Sequence, residues 1–453
     1  MEIVHGENIA LFEKAKVNGS ILKYTYQDIE LNHPYSGKER DLTYLIDKDP
    51  RYIDLRFCRL KFGIKVVKDD GSTFFQDYTR EEGKQPIFNK TSEKNEFAIP
   101  IDCIFHTMWS AVQIFYDGKK IAGSSINYAY KSYIDLMLER TALEKRTFLH
   151  LIGMANDMDN FNSTTPYDEI PNQGLQTRYG WTRNGKELHM NGPLQLDMCK
   201  SNKHFLPNDK NIKVLFHANS EKFRLQMQPP DLKAHIELIN PVFRVARVTP
   251  TNDTEEAIIM ERVKEPFQYP HRLGYVKTMS MNAGERTYKF QNVFNGMIPS
   301  KLVVGFVEEE AYSGHSSKNP LKFSNLDCEY AVAMVGSEAL PAKGYELDFG
   351  SGDYADAVDN LHYIFSPDGL PVNIGVSREQ FKEGVCLLSF DLDPSTPGDL
   401  STWGIPKVGN LDLTFRFKTS LKVPQELIIY GIFPATVELD VSGSVTTNEL
   451  LMQ

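Results

Sequence analysis

The sequence predicts an all-β chain built as two β-sandwiches in tandem, and three observations carry that expectation. Near the C-terminus Leu411, Leu413, Phe415 and Phe417 alternate with Asp412, Thr414, Arg416 and Lys418, giving the one apolar and one wet face that a sandwich strand requires. At 453 residues the chain exceeds the roughly 250–300 at which single cores stop growing, so two domains are expected. The second half also repeats the strand-and-turn succession of the first, with one helix-like stretch in the second third of each unit.

Composition narrows the function classes. A chain that is 41% hydrophobic and 24% charged is ordinary for a folded protein, and 27 Phe with 21 Tyr supply the large side chains that sheets favour. A formal charge of −10 opposes a protein that grips phosphate backbones, and the sequence carries no specific nucleic-acid motif. Five cysteines, far apart and without a CxxC pair, signal neither a disulfide framework nor a zinc ribbon and fit a reducing compartment. The N-terminus lacks the basic and apolar regions of a signal peptide, and the longest apolar runs, such as residues 428–433, fall short of the ~20 a membrane span needs. A soluble product made in the cell interior is expected.

Along the first half, residues 1–45 are mixed and polar and read as an N-terminal arm, with Tyr24 and Tyr26 near a short strand. Residues 52–67 read as one long strand. Ile53, Leu55 and Phe57 keep one phase and Cys58, Leu60, Phe62, Ile64 and Val66 the other, as a bulge at Phe57/Cys58 would produce. Residues 77–96 are a charged surface loop. A strand at 97–104 precedes a hairpin over 109–121 that turns at Asp117-Gly118. Tyr130, Tyr133, Ile134, Met137 and Leu138 recur at helical spacing within a helix over 127–146. Residues 154–182, rich in Asn, Asp, Pro and Gly, form a long excursion. Strands follow at 192–199, 211–218, 222–227 and 234–248. A short helix over 254–264, capped by Thr251 or Asp253 and ended by Pro266 and Pro270, marks the domain boundary.

In the second half, strands are expected at 273–281, 285–290, 302–307 and 329–335, a loop at 311–323, a helix at 354–365 and closing strands at 384–392, 411–418 and 427–430. The divisions are therefore an arm at 1–45, a first sandwich at 46–250, a linker with a helix at 251–268, a second sandwich at 269–446 and a tail at 447–453.

Several side chains are capable of chemistry, and each also has a structural reading. The histidines show no HxH or HExxH spacing, and His189, His204 and His217 sit on separate segments, so no metal site is expected. Asp391 and Asp393, or Glu308, Glu309 and Glu310, are the acids that could serve a glycoside hydrolase. The former sit in FDLDP ahead of Ser-Thr-Pro-Gly-Asp and read as turn caps, the latter as a solvated run. The basic and aromatic residues of 184–205 read as a solvated loop beside a strand, and Trp109, Trp181 and Trp403 as packing residues. No catalytic, cofactor-binding or metal residue is assigned.

The order of several short segments then resembles a known family. Residues 52–55 opening a strand, Tyr116-Asp117-Gly118-Lys119 with Tyr128-Ala129-Tyr130, Gly192-Pro193-Leu194 and Phe205-Leu206-Pro207 resemble the first jelly roll of major capsid proteins from Polinton (Maverick) elements and adintovirus-like viruses. In the second half Tyr269-Pro270, residues 296–307, Asn319-Pro320 with Phe323, and Phe390-Asp391-Leu392 followed by Gly409-Asn410-Leu411 are similar to later positions, so the likeness covers about residues 51–440. Asp117, Leu321 and Asp393 depart from the family's commoner Asn, aromatic and Thr.

The resemblance implies two tandem eight-stranded jelly rolls, a double jelly roll akin to adenovirus hexon. It implies a homotrimer forming pseudo-hexagonal capsomers of an icosahedral shell around DNA, with penton and minor capsid proteins as partners and the virion as location. A structural protein rather than an enzyme is expected. The alternatives are a carbohydrate-active or glycan-binding protein on tandem jelly rolls, and an accessory capsid protein, commonly built on one jelly roll.

Overall fold

The computed structural model describes residues 19–32, 41–79, 87–90, 92–124, 126–157, 159–201, 205–366, 370–393 and 407–447. In the first half the strands are β1 (Ile21–Ile29), β2 (Asp41–Ile46), β3 (Tyr52–Asp54), β4 (Arg59–Lys68), β5 (Phe97–Pro100), β6 (Trp109–Tyr116), β7 (Lys119–Ser124), β8 (Leu188–Pro193), β9 (Phe205–Leu206), β10 (Ile212–Ala218), β11 (Leu225–Gln228) and β12 (Ala234–Pro250). Helices α1 (Tyr128–Glu139), α2 (Ala142–Arg146) and α3 (Gln173–Thr182) stand between β7 and β8, and α4 (Asn252–Arg262) follows β12. The second half has β13 (Phe267–Met281), β14 (Thr287–Phe290), β15 (Lys301–Glu308), β16 (Cys328–Val335), β17 (Glu338–Glu346), β18 (Leu387–Asp391), β19 (Leu411–Phe417), β20 (Gln425–Leu439) and β21 (Val445–Thr447). Helices α5 (Ala355–Tyr363) and α6 (Arg378–Glu383) lie between β17 and β18.

The same pairing rule builds both halves. In the second, one sheet runs β13-β20-β15-β18 and the facing sheet β14-β19-β16-β17. Counting these eight strands in chain order gives 1-8-3-6 against 2-7-4-5, the interleaving of a jelly roll. The first half repeats it, with β1 on β12, then β4 and β8, facing β2-β10-β6-β7. The helices occupy the same slot in both, between the fifth and sixth strands. The chain is a double jelly roll.

The first two strands of the first jelly roll lie inside the stretch read as an arm. β1 pairs along β12 from Ile29↔Phe243 to Ile21↔Pro250, and β2 pairs along β10 from Asp41↔His217 to Ile46↔Ile212. The structure therefore starts the first sandwich near residue 20 rather than at 46.

Local chemistry explains the other differences. The phase change at Phe57/Cys58 comes from a 3-10 turn over Leu55–Phe57, where the Asp54 carboxylate accepts the Arg56 N–H, and not from a bulge. The helix expected over 127–146 breaks in two, because Thr141 and Glu144 form a reciprocal capping box that starts α2 afresh. The excursion at 154–182 contains α3, whose Asn172 side chain accepts the Leu175 N–H. The strand expected at 192–199 ends at Pro193 and gives way to a helical turn, Asp197–Lys200, and that at 222–227 begins with another, Glu221–Arg224. Pro270 does not end α4 but lies within β13, an edge strand where the missing N–H breaks no ladder.

Other expectations stand. At the hairpin between β6 and β7, Asp117 and Gly118 have φ of 48° and 81°, the left-handed pair of a type I′ turn. In β19 Leu411, Leu413, Phe415 and Phe417 are fully buried while Arg416 is exposed. One continuous cluster of buried apolar side chains runs through both jelly rolls.

A chain shortened to begin at residue 47 would lose one strand from each sheet of the first sandwich. It is expected to show no cooperative unfolding transition in denaturant followed by circular dichroism. Removal of a mere arm would leave the midpoint where it was.

Candidate functional site

The two sets of acids considered for glycoside hydrolysis, Asp391 with Asp393 and Glu308 to Glu310, lie toward opposite ends of one strand. Lys301 pairs opposite Asp391 at one end of β15, and Glu308 closes the other end. Seven residues of strand separate them, about 23 Å, far beyond the roughly 5–10 Å two catalytic carboxylates need. Asp391 meets the Lys301 ammonium at 2.6 Å and accepts the Asp393 N–H at 3.2 Å, while Asp393 pairs with Lys407 at 3.3 Å. Glu308 and Glu310 both pair with Lys318, and Glu309 opens the helical turn Glu309–Ser313. Asp391 is a turn cap, as expected, and the carbohydrate-active reading finds no support in these acids.

His217 pairs with Asp41 across β10 and β2, and His189 lies 3.2 Å from Glu187, while His204 and Trp403 fall outside the described residues. Among the described residues no group of three or more His, Cys, Asp or Glu is placed to hold a metal ion, and no helix is long and apolar enough to cross a membrane. All five cysteines are free thiols, each buried. Trp109 is buried edge-on against Phe62, and Trp181 packs against His150.

What the fold does concentrate is charge at the seam between the jelly rolls. Helix α1 leaves the first sandwich and lies against β13 of the second. Its Lys131, 4% exposed, donates to Asp135 Oδ2 at 2.8 Å, Asp197 Oδ1 at 2.5 Å and the Gln195 carbonyl at 3.1 Å, which uses all three ammonium hydrogens. Asp135, 1% exposed, also takes Lys200 at 2.8 Å, and its other oxygen accepts the Tyr430 hydroxyl of β20 at 2.5 Å. Asp197 Oδ2 accepts the Gly274 N–H of β13 at 3.0 Å. A Cβ on Gly274 would come within 2.5 Å of the Tyr430 hydroxyl oxygen, so only glycine lets β13 approach this closely. Burial alone would raise the Asp135 carboxyl, yet Lys131 and Lys200 hold it well below the usual carboxylate range. Burial likewise opposes the charge on Lys131, and Asp135 with Asp197 more than offset it.

A second buried cluster lies under α3. Arg178, 1% exposed, donates to the Pro100 carbonyl at 2.8 Å, the Ala155 carbonyl at 2.6 Å and Asp157 Oδ1 at 2.8 Å. The other Asp157 oxygen accepts Asn319 of the second sandwich at 2.8 Å. Asp102 stands 3.8 Å from the same guanidinium, accepts the Cys103 and Ala155 N–H groups, and keeps Oδ2 without a hydrogen-bond partner. Burial pushes its carboxyl up to about 6 despite Arg178, and the Asp157 charge adds to the rise.

Main-chain and aromatic contacts complete the seam. Lys145 donates to the Met137 carbonyl on one side and the Ile374 carbonyl on the other, at 2.5 and 2.7 Å. The Tyr130 hydroxyl reaches the Pro320 carbonyl at 3.0 Å, and its ring stacks on Tyr312 with centroids 5.7 Å apart. Tyr269 and Ser201 tie β13 to the first sandwich through the Phe205 and Pro270 carbonyls.

None of these seam residues stands out in the sequence. The one local signal is Lys131 and Asp135 at i and i+4 within a helix otherwise apolar on that face; Lys200 and Asp197 belong to the segment expected to be a solvated loop. They are instead drawn inward by the charges on α1.

With this geometry in place, comparison with solved structures decides the architecture. A chain of the Sputnik virophage superposes with a TM-score of 0.60 at 12% identity, covering 99% of this chain and 93% of that one. The Faustovirus major capsid protein gives 0.58 at 9% identity, covering 94% and 92%. A chain of the PBCV-1 virus capsid gives 0.57 at 10% identity, covering 96% and 99%. The fold is the double jelly roll of viral major capsid proteins. No protein-family profile matches the sequence. An uncharacterized protein of Caenorhabditis elegans is 22% identical over 352 residues, 75% of this chain and 80% of that protein.

Two outcomes follow for the seam. Asp135→Ala takes the shared carboxylate from Lys131, which keeps Asp197, and from Lys200, which keeps Glu139, and is expected to lower unfolding free energy by about 3 kcal/mol, with Tyr430→Phe costing nearer 1 kcal/mol, both read from urea midpoints. Asp102 binds its proton more tightly folded than unfolded. Its contribution is therefore complete below about pH 4 and is lost as pH rises through about 6. Asp102→Asn should flatten the fall in thermal midpoint between pH 4 and 7, and an unchanged slope would assign that fall elsewhere.

Proposed function

We propose that this chain is the major capsid protein of a virus or virus-derived element, and that its work is shape and assembly rather than catalysis. The observation that carries the reading is one chain with two jelly rolls of identical strand order, fused by buried charge into one block. Two sandwiches per chain in three chains place six similar units around a threefold axis, a pseudo-hexagonal capsomer able to tile an icosahedral shell. A DNA genome inside, penton and minor capsid proteins at the shell's special positions, and residence in the virion belong to the same reading.

The match over nearly the whole length of viral capsid chains supports it, as does the separation of the candidate catalytic acids. A relative in a nematode, together with a viral fold, supports the lineage of Polinton (Maverick) elements that the sequence resembles.

Light scattering behind size-exclusion chromatography, with negative-stain microscopy of the same fraction, checks the assembly. Trimers of hexagonal outline are expected. A well-folded monomer that persists at high concentration would contradict the reading.

A further inference from the structure

The seam inside the chain covers one sheet face and leaves its counterpart bare. In the second jelly roll the outer face of the first and eighth strands, β13 and β20, lies under helix α1, where Tyr430 meets Asp135 and Gly274 sits beside Lys131. Gly274 pairs opposite Ile432 and Val276 opposite Tyr430, so Gly274 and Tyr430 are diagonal neighbours on that face. In the first jelly roll the same two strands are β1 and β12, with Tyr24 opposite Val248, Tyr26 opposite Ala246 and Asp28 opposite Arg244. Phe243 turns inward onto Tyr44, so alternation puts these residues on the outer face. Tyr26 is 59% and Tyr24 39% exposed, beside Leu22 at 69% and Phe57 at 41%, and the Tyr24 and Phe57 rings meet edge to face at 6.4 Å. Among the described residues this aromatic patch has no cover.

The helices correspond in the same way. α5 occupies in the second jelly roll the slot that α1 occupies in the first. Ala357 and Leu361 bury its inner side against β18, while Asp356, Asp359 and Tyr363 share the exposed side. The one base in α5, His362, sets its ring nitrogens against the Val372 and Val376 carbonyls, and Arg378 beyond it lies over the Tyr354 ring. The exposed side of α5 is therefore acidic. The patch around β1 has the opposite balance. Arg56 and Arg244 lie beside its rings, and the ladder puts Arg59 and Lys61 of β4 on the same face. Against these four bases stand two acids, Asp28, paired with Arg244 at 2.7 Å, and buried Asp54, which takes Arg56 at 3.5 Å and the Tyr24 hydroxyl at 3.1 Å.

We propose that the exposed side of α5 in one chain covers the outer face of β1 and β12 in a second copy, Asp356 and Asp359 meeting the bases and Tyr363 the aromatic patch. The inference deepens the capsomer reading and rests on it. Helix and patch lie on different halves of the chain, so the contact is head-to-tail and a threefold rotation closes it into a ring. Three seams within chains and three between them then use one geometry, a helix of one jelly roll laid across the first and eighth strands of the next. Within the chain that seam is sealed by buried ion pairs, and between chains by exposed charges of opposite sign around a core of rings.

Cross-linking of the full-length trimer tests this. The five native thiols are buried, so Tyr26→Cys with Tyr363→Cys should join chains through a short thiol-specific cross-linker, and neither single variant should. Asp356→Lys with Asp359→Lys is expected to weaken the trimer by about tenfold or more in light scattering, and adding Arg59→Glu with Lys61→Glu should restore it. A trimer that does not cross-link, one that ignores the first charge reversal, or a loss that the second reversal fails to repair would overturn this interface and leave the capsomer reading standing. A wild-type chain that stays monomeric would overturn both.

Discussion

A carboxylate taken out of water beside two ammonium groups must keep both of them, and the rest of this molecule is arranged around that requirement at Asp135. Lys131 comes from its own helix, Lys200 from the turn after β8, and the Tyr430 hydroxyl from the eighth strand of the other jelly roll. Removing either lysine leaves the carboxylate with one ammonium partner, and removing the Tyr430 hydroxyl breaks its hydrogen bond to the second jelly roll, against a total stability of about 5–15 kcal/mol. The Tyr430 hydroxyl and the Gly274 N–H link this charge cluster of the first jelly roll to the second. Gly274 shows the same constraint from the steric side, because a side chain there would push β13 off the hydroxyl that Asp135 holds.

Inter-domain contacts within a chain are ordinarily loose enough for relative motion. Here the seam carries a charge network, the Arg178–Asp157–Asn319 bridge and an aromatic stack, and the apolar core continues through it. Repeating one strand order twice gives a unit whose two halves share one outline, and the helices inserted between the fifth and sixth strands of the first half supply much of the seam.

Much of the fold was legible because its central strands obey simple periodicities. β19 alternates cleanly, β20 contains an unbroken apolar run because it is covered on both faces, and the Asp117-Gly118 turn announces its hairpin. Edge strands were not legible in the same way. β1 is half-exposed on every fourth residue and wet elsewhere, so Tyr24 and Tyr26 read as an arm although the backbone pairs fully with β12. β17 is buried only at Tyr345 and holds Pro341 and Lys343, residues that blunt an edge against aggregation and also erase its strand signal. The seam was hidden for another reason. Lys131 and Lys200 are 69 positions apart, and only the tertiary fold reveals that they share one carboxylate.

With an apolar core that continues across the seam, the two jelly rolls are expected to unfold as one cooperative body. Native-state hydrogen exchange of the intact protomer at increasing denaturant tests it most directly, comparing the slowest amides of β12 with those of β20. Both sets should merge onto a single opening with the same free energy and the same denaturant dependence. Two separate openings, one for each sandwich, would contradict the account.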